Sequence, residues 1–161
     1  MDAIQLLTDQ HRLLEERFAA AVDAADPRER DALAAEALDQ LAVHVTAEED
    51  VFYPAVKARR TEDIRLESLE EHLALKRLLA DLIDLPADDV TYQAKLKVLR
   101  EQAEHHHSEE EEHLFPRVRR CLDPAQLEAL GREMLACQKR LIREGQPREM
   151  LAEQTAKAMA L

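Results

Sequence analysis

The 161-residue sequence predicts an all-α protein, a bundle of four helices with a fifth helix added at the C-terminal end. Three observations carry that expectation. Only 2 Gly and 6 Pro are present, in a chain rich in Ala, Leu, Glu, Gln and Arg, residues that lose little side-chain freedom in a helix. Apolar residues recur at steps of three and four through four long segments, the spacing of a buried helical stripe. Residues that start and stop helices fall between those segments. A chain of this length buries about 70% of the surface it exposes when unfolded, enough for a full core.

The elements follow in order. "DPRE" at 26–29 and "DPAQ" at 123–126 each start a helix: Asp accepts an orphan amide, Pro suits the first turn, and Glu or Gln three residues on can reach back. Thr61, followed by Glu62 and Asp63, offers a third cap with acids at the positive end of the dipole. "PADD" at 86–89 makes a fourth connection. Five helices result, over roughly 2–24, 27–59, 62–85, 89–120 and 124–144. Gly145 with Pro147 is a stop signal, after which a short helix beginning at Pro147 is expected either to dock or to fray. The domain reading is a bundle over 1–122 with a helical extension over 123–161.

Charge narrows the function. With 22 Lys and Arg against 34 Asp and Glu, the formal charge is −12, which repels nucleic-acid phosphates and anionic lipid surfaces. Neither nucleic acid nor a membrane is an expected partner. "MDAIQLLTDQ" lacks the basic stretch and apolar core of a secretory signal, and no apolar run reaches membrane-spanning length. A cytoplasmic setting is expected, with Cys121 and Cys137 as reduced thiols.

Polar residues interrupt the apolar stripes. In helix one, His11 lies on the stripe of Ile4, Leu7, Leu14, Phe18 and Val22. In helix two, His44 and Glu48 join Ala34, Leu38, Leu41, Val45, Phe52 and Ala55. Helix three places His72 among Leu69, Leu75, Leu79 and Leu82, and helix four places His106 and Glu110 among Leu96, Leu99, Ala103 and Leu114. Burying carboxylates without partners is costly, and a bound cation removes that cost by favouring ionised Glu and neutral His.

The same residues form an internal repeat. His11 precedes His44 by 33 residues and His72 precedes His106 by 34. Each second histidine opens an HxxxE with a proline ten residues on, Pro54 or Pro116, expected to kink or end its helix. Residues i and i+4 share one helix face, so each HxxxE aims a nitrogen and an oxygen at one point. Within "HHHSEEEEHLFP" at 105–116, this register selects His106 and Glu110. It puts His105 and His107 about 100° to either side of the inward pair and makes most of the acidic run a solvated face. His113 falls on the Glu110 face, where both a supporting role and direct ligation stay open; Glu49 and Glu111 are the alternative register. Phe18, Phe52, Tyr53 and Phe115 are expected to pack around the site.

Four imidazoles and two carboxylates exceed one four-coordinate zinc, and no thiolate is offered. A dinuclear centre accounts for His11, His44, Glu48, His72, His106 and Glu110, with the glutamates as natural bridges. The expected cofactor is two iron ions, with carboxylate and oxo or hydroxo bridges; manganese and zinc are the alternatives.

With these residues in view, the chain resembles the haemerythrin-like HHE cation-binding family. The resemblance rests on "DQH" at 9–11, "HVTAE" at 44–48, "EEH" at 70–72 and "HHSEE" at 106–110, and covers 1–120. It implies an up-and-down antiparallel four-helix bundle with a non-haem di-iron site that meets dioxygen, peroxide or nitric oxide, and it carries the ligand role onto the same six residues. Oxygen-carrying members have HxxxH in the third helix, whereas here Ser68 and Lys76 flank His72 at four residues on either side. One histidine fewer implies a site less suited to reversible oxygen carriage and more open to exogenous ligands.

Three functional readings follow. The first is a di-iron protein that turns over small oxidants in stress protection, with catalase-like activity as one form. The second is a sensor or carrier of oxygen, nitric oxide or iron without turnover. The third is a bundle that a metal merely stabilises. No catalytic triad, phosphate-binding Gly loop or nucleotide motif offers a rival chemistry.

Overall fold

The computed structural model describes residues 1–57 and 61–160, and the described residues form helices joined by short connections. Helix α1 spans Ala3–Asp23 and α2 spans Pro27–Ala47. A π-helical turn, π1, over Glu48–Phe52 leads into α3 over Tyr53–Val56. Helix α4 spans Glu62–Ile83 and α5 spans Tyr92–Glu109, followed by a second π-turn, π2, over Glu110–Leu114 and by α6 over Phe115–Cys121. Helices α7 over Pro124–Glu144 and α8 over Pro147–Ala152 complete the chain. The first four long rods make an up-and-down four-helix bundle. Helix α7 packs on α1, α2 and π1, and α8 packs on α2 and α4.

Local chemistry explains the helix starts. Asp2 accepts from the Gln5 amide and Asp26 from the Arg28 amide. Asp123 and Gln126 form a complete reciprocal box. Thr61 precedes α4 but does not cap it with its side chain: its hydroxyl donates to the Val56 carbonyl at 2.9 Å and accepts from Arg65 Nε at 3.0 Å, tying α4 back to α3. Helix α5 begins at Tyr92, later than position 89, because Asp89 instead binds the amide and hydroxyl of Thr91 in a turn. The expected end of helix two at 59 lies outside the described residues. The short helix from Pro147 docks: Leu151 is buried and Arg148 reaches Asp39 at 2.8 Å.

The π-turns correct one expected stripe. Pro54 lacks an N–H and would crowd the carbonyl four residues back in an α-helix; in π1 the Tyr53 amide reaches back to the Glu48 carbonyl instead. The helix therefore continues past the proline with its register advanced by one residue. Ala55, expected inside, is exposed, and Tyr53 and Val56 are buried in its stead. The second repeat matches: Phe115 and Val118 are buried around Pro116.

Two apolar clusters fill the interior. One gathers Leu7, Phe52, Val56, Leu69, Leu114 and Val118 with the buried face of α7; the other gathers Leu14, Phe18, Leu38, Leu41, Leu75, Leu79, Leu96 and Leu99. Each fully buried leucine contributes about 1.5–3 kcal/mol. His11 lies between Leu7 and Leu14 on its stripe and His72 between Leu69 and Leu75, so the polar layer separates the two clusters.

Candidate metal centre

All six polar residues singled out on the stripes are buried, each at most 1% exposed. The structure brings them to one layer of the bundle. Glu48 puts one oxygen 3.1 Å from Nε2 of His44 and the other 3.1 Å from Nε2 of His72. Glu110 puts Oε1 3.3 Å from Nε2 of His106 and 3.6 Å from Nε2 of His11. Each glutamate thus joins its own HxxxE histidine to the lone histidine of the other repeat. Three overlapping groups, His11–His44–Glu48–Glu110, Glu48–His72–His106 and His11–His44–His107, have ligand atoms close enough to hold an ion.

The opposite edge of every one of these imidazoles is occupied. Nδ1 of His11 donates to Glu111 at 2.7 Å, that of His44 to Gln10 at 2.9 Å, that of His72 to Glu49 at 3.0 Å and that of His106 to Glu71 at 3.1 Å. Oxygen acceptors take the Nδ1 proton, which leaves Nε2 as a lone pair facing the centre. There Nε2 of His72 and His106 lie 2.9 Å apart, one able to donate to the other only when a proton is bound between them, while Nε2 of His11 and His44, both oxygens of Glu48 and Oε1 of Glu110 find no hydrogen-bond partner. Buried acceptors turned on one another are stabilised by positive charge placed between them, a metal ion or bound protons.

The electrostatics agree. Burial opposes ionisation of Glu110, but His106 and His11 hold its carboxyl well below the usual range. Burial likewise disfavours charge on His106, yet Glu110 and Glu71 outweigh it and push the imidazole up to about 10. His72 is raised in the same way by Glu48 and Glu49 against its burial. In the metal-free protein the centre attracts protons where an ion would otherwise sit.

A family model for the Hemerythrin HHE cation binding domain matches residues 2–118. The chain belongs to that hemerythrin HHE family. A solved structure of a Hemerythrin HHE cation binding domain-containing protein from Mycobacterium kansasii has a TM-score of 0.79 and 24% identity, covering 95% of this chain and 98% of that one; this likeness is one of fold. No protein of curated function matches the chain.

Within this hemerythrin-like frame several sequence expectations need correction. Glu49 and Glu111 do not replace Glu48 and Glu110; they stand behind the lone histidines, and Glu49 also binds Lys76 at 2.9 Å. His113 neither supports nor joins the centre: it is exposed, 3.7 Å from Glu109 and 3.8 Å from Glu112. The π2 turn rotates it outward and sends Leu114 inward. His105 is exposed as expected, but His107 is buried, stacked on His11 with ring centroids 4.0 Å apart. Tyr53 does more than pack: its hydroxyl donates to Glu110 at 3.1 Å and lies 3.3 Å from Nε2 of His72.

Gln10 and Glu71 escaped sequence reasoning, although the repeat held the signal. Each directly precedes a lone histidine, and each accepts from the HxxxE histidine of its own half. The repeated unit is thus an acceptor–His pair followed by HxxxEE, with the last Glu serving the other half. Gln138 of α7 also escaped; it exchanges hydrogen bonds with Gln10 at 2.8 and 3.0 Å. No helix among the described residues is long and apolar enough to cross a membrane.

Proposed function

We propose that His11, His44, Glu48, His72, His106 and Glu110 hold two iron ions with Glu48 and Glu110 as bridges, and that the pair binds and turns over small oxidants such as peroxide, dioxygen or nitric oxide. The observation that carries this reading is the ring of inward-facing Nε2 and carboxylate oxygens, dry and turned on one another, with Nε2 of His11 and His44, both oxygens of Glu48 and Oε1 of Glu110 unpartnered, behind which every Nδ1 is fixed by an oxygen. The mixed nitrogen and oxygen set suits iron or manganese better than a thiolate-seeking ion. When bound, the ions supply the redox equivalents. The chain's own residues fix ligand geometry through Glu111, Gln10, Glu49 and Glu71, and Phe52, Leu114 and Phe115 exclude bulk water on one side of the layer. Peroxide disproportionation is the form of turnover to assay first.

The test is metal content and the visible spectrum of protein from iron-supplied cells, before and after peroxide. About two irons per chain, with oxygen evolved and with turnover lost in a helical His106→Ala variant, is the expected result. Activity no greater than that of free iron overturns turnover, and a chain without bound iron overturns the site.

A second reading, a sensor or carrier without turnover, draws on a separate observation. The path from Nδ1 of His44 through Gln10 to Gln138 leads from the centre to α7, outside the bundle. Reversible spectral change without product, together with altered protease access after Gly145, is its signature.

A further inference from the structure

Among the described residues, the four ligand histidines each give Nδ1 to an oxygen, but His107 is 2% exposed and neither of its ring nitrogens has a partner. Drying a donor and an acceptor without pairing them is destabilising. The first repeat shows that this position does not need an imidazole, because Val45 stands there and is equally buried. A polar ring retained where valine fits calls for a partner that enters from solution.

His107 is not a further ligand beside His11. The two rings are parallel within 8°, with centroids 4.0 Å apart. With the planes parallel, the Nε2 lone pair of His11 runs alongside the face of His107 rather than toward its in-plane nitrogens, so the two rings do not aim at one point. Even so, a ring nitrogen of His107 lies within 4.8 Å of ligand atoms on both His11 and His44. An ion about 2 Å from those nitrogens would bring a small molecule bound to it within hydrogen-bond reach of His107.

The two sides of the centre differ in the same sense. On the His72 side Tyr53 already fills the space with a hydroxyl bonded to Glu110. On the His11 side the corresponding residue of the repeat is Phe115, whose ring lies 5.8 Å from that of His11 and offers no polar atom. An imidazole always carries at least one N–H to donate, and in His107 neither ring nitrogen is engaged.

We propose that His107 donates a hydrogen bond to a small exogenous ligand held beside His11 and His44, a compact anion of the azide or hydroperoxide type. The proposal rests on the metal-pair reading above. Its test is azide titration of the iron-loaded full chain, followed by absorption and by the azide infrared stretch, with iron content measured on the same samples. His107→Phe keeps a flat ring against His11 and removes the donor; His107→Val installs the residue of the first repeat and serves if the Phe variant does not fold.

Both variants are expected to keep the wild-type iron content, to bind azide about 10-fold more weakly and to shift its stretch, and His107→Gln, which restores an N–H, to recover most of the affinity. Wild-type azide affinity in a folded variant lacking the donor overturns the proposal. Loss of iron from such a variant also overturns it, by making His107 a ligand. A wild-type chain that loads no iron overturns the metal-pair reading, and the role of His107 with it.

Discussion

Glu49 accepts the Nδ1 proton of His72 at 3.0 Å while binding the ammonium of Lys76 at 2.9 Å. The carboxylate thus joins the π-turn of one repeat to the lone histidine of the other. Lys76 stands four residues beyond His72, one of the two positions, with Ser68, at which an HxxxH would place its second histidine; here it is a buried cation that anchors Glu49.

Glu49→Ala should therefore act on both stability and metal. Lys76 is 1% exposed, and stranding a buried charge costs about 3–5 kcal/mol. Release of His72 should weaken metal binding by about 10–100-fold without removing a ligand. Denaturant unfolding and chelator competition measure the two effects, and a stability loss under about 1 kcal/mol would contradict the ion pair's role.

Protonation competes with the metal. The folded, metal-free protein holds His106 up to about 10, above the ordinary 6.5. A raised pKa means that this proton's stabilisation is complete below pH 6.5 and is lost as pH rises through 10. Melting of the metal-free protein should decline across that window. Because an ion must displace the proton, metal affinity should rise with pH over the same range, and loading near pH 7.5 should release protons into a weakly buffered indicator solution. Loading without proton release would contradict the protonated metal-free centre.

Removing metal should loosen the fold without dissolving its helices. The acceptors around Glu48 and Glu110 then lose the cation they face, and stripping it with chelator should lower the melting midpoint by about 5–10 °C, equivalent to a few kcal/mol in a chain of this size. Unchanged melting would mean that the ion contributes nothing to stability.

Gly131→Ala tests how α7 attaches. A Cβ at Gly131 would stand 2.6 Å from the Met1 carbonyl oxygen and 3.1 Å from the Ala3 amide, so α7 crosses the start of α1 where only a glycine fits. Overpacking outweighs the gain in helix propensity, giving a net loss of about 1 kcal/mol by denaturant unfolding. Iron content should not change, because the clash lies at the end of the bundle rather than at the centre.

The six polar residues of the layer were legible in the sequence because a helix converts spacing directly into direction: His44 with Glu48 and His106 with Glu110 must share a face. His107 and His113 were misread for different reasons. Ideal α-helical spacing was carried through 105–116, whereas the chain enters a π-turn at Glu110, and angles counted from His106 no longer hold beyond it. His107 precedes that turn, and its burial depends on how α5 faces α1, where His11 offers a ring to stack on. Ala55 failed through the equivalent turn at Glu48.

The sequence by itself determined the helices, most of their inward faces and the repeated set of nitrogens and oxygens, because these depend on local propensity and on periodicity along a single helix. The tertiary structure alone decided the pairings between repeats: Glu48 with His72, Glu110 with His11, Glu49 and Glu111 behind the lone histidines, and Gln138 behind Gln10. Those contacts join residues far apart in the chain, and their partners are chosen by how four helices pack around one polar layer, which no single-helix pattern encodes.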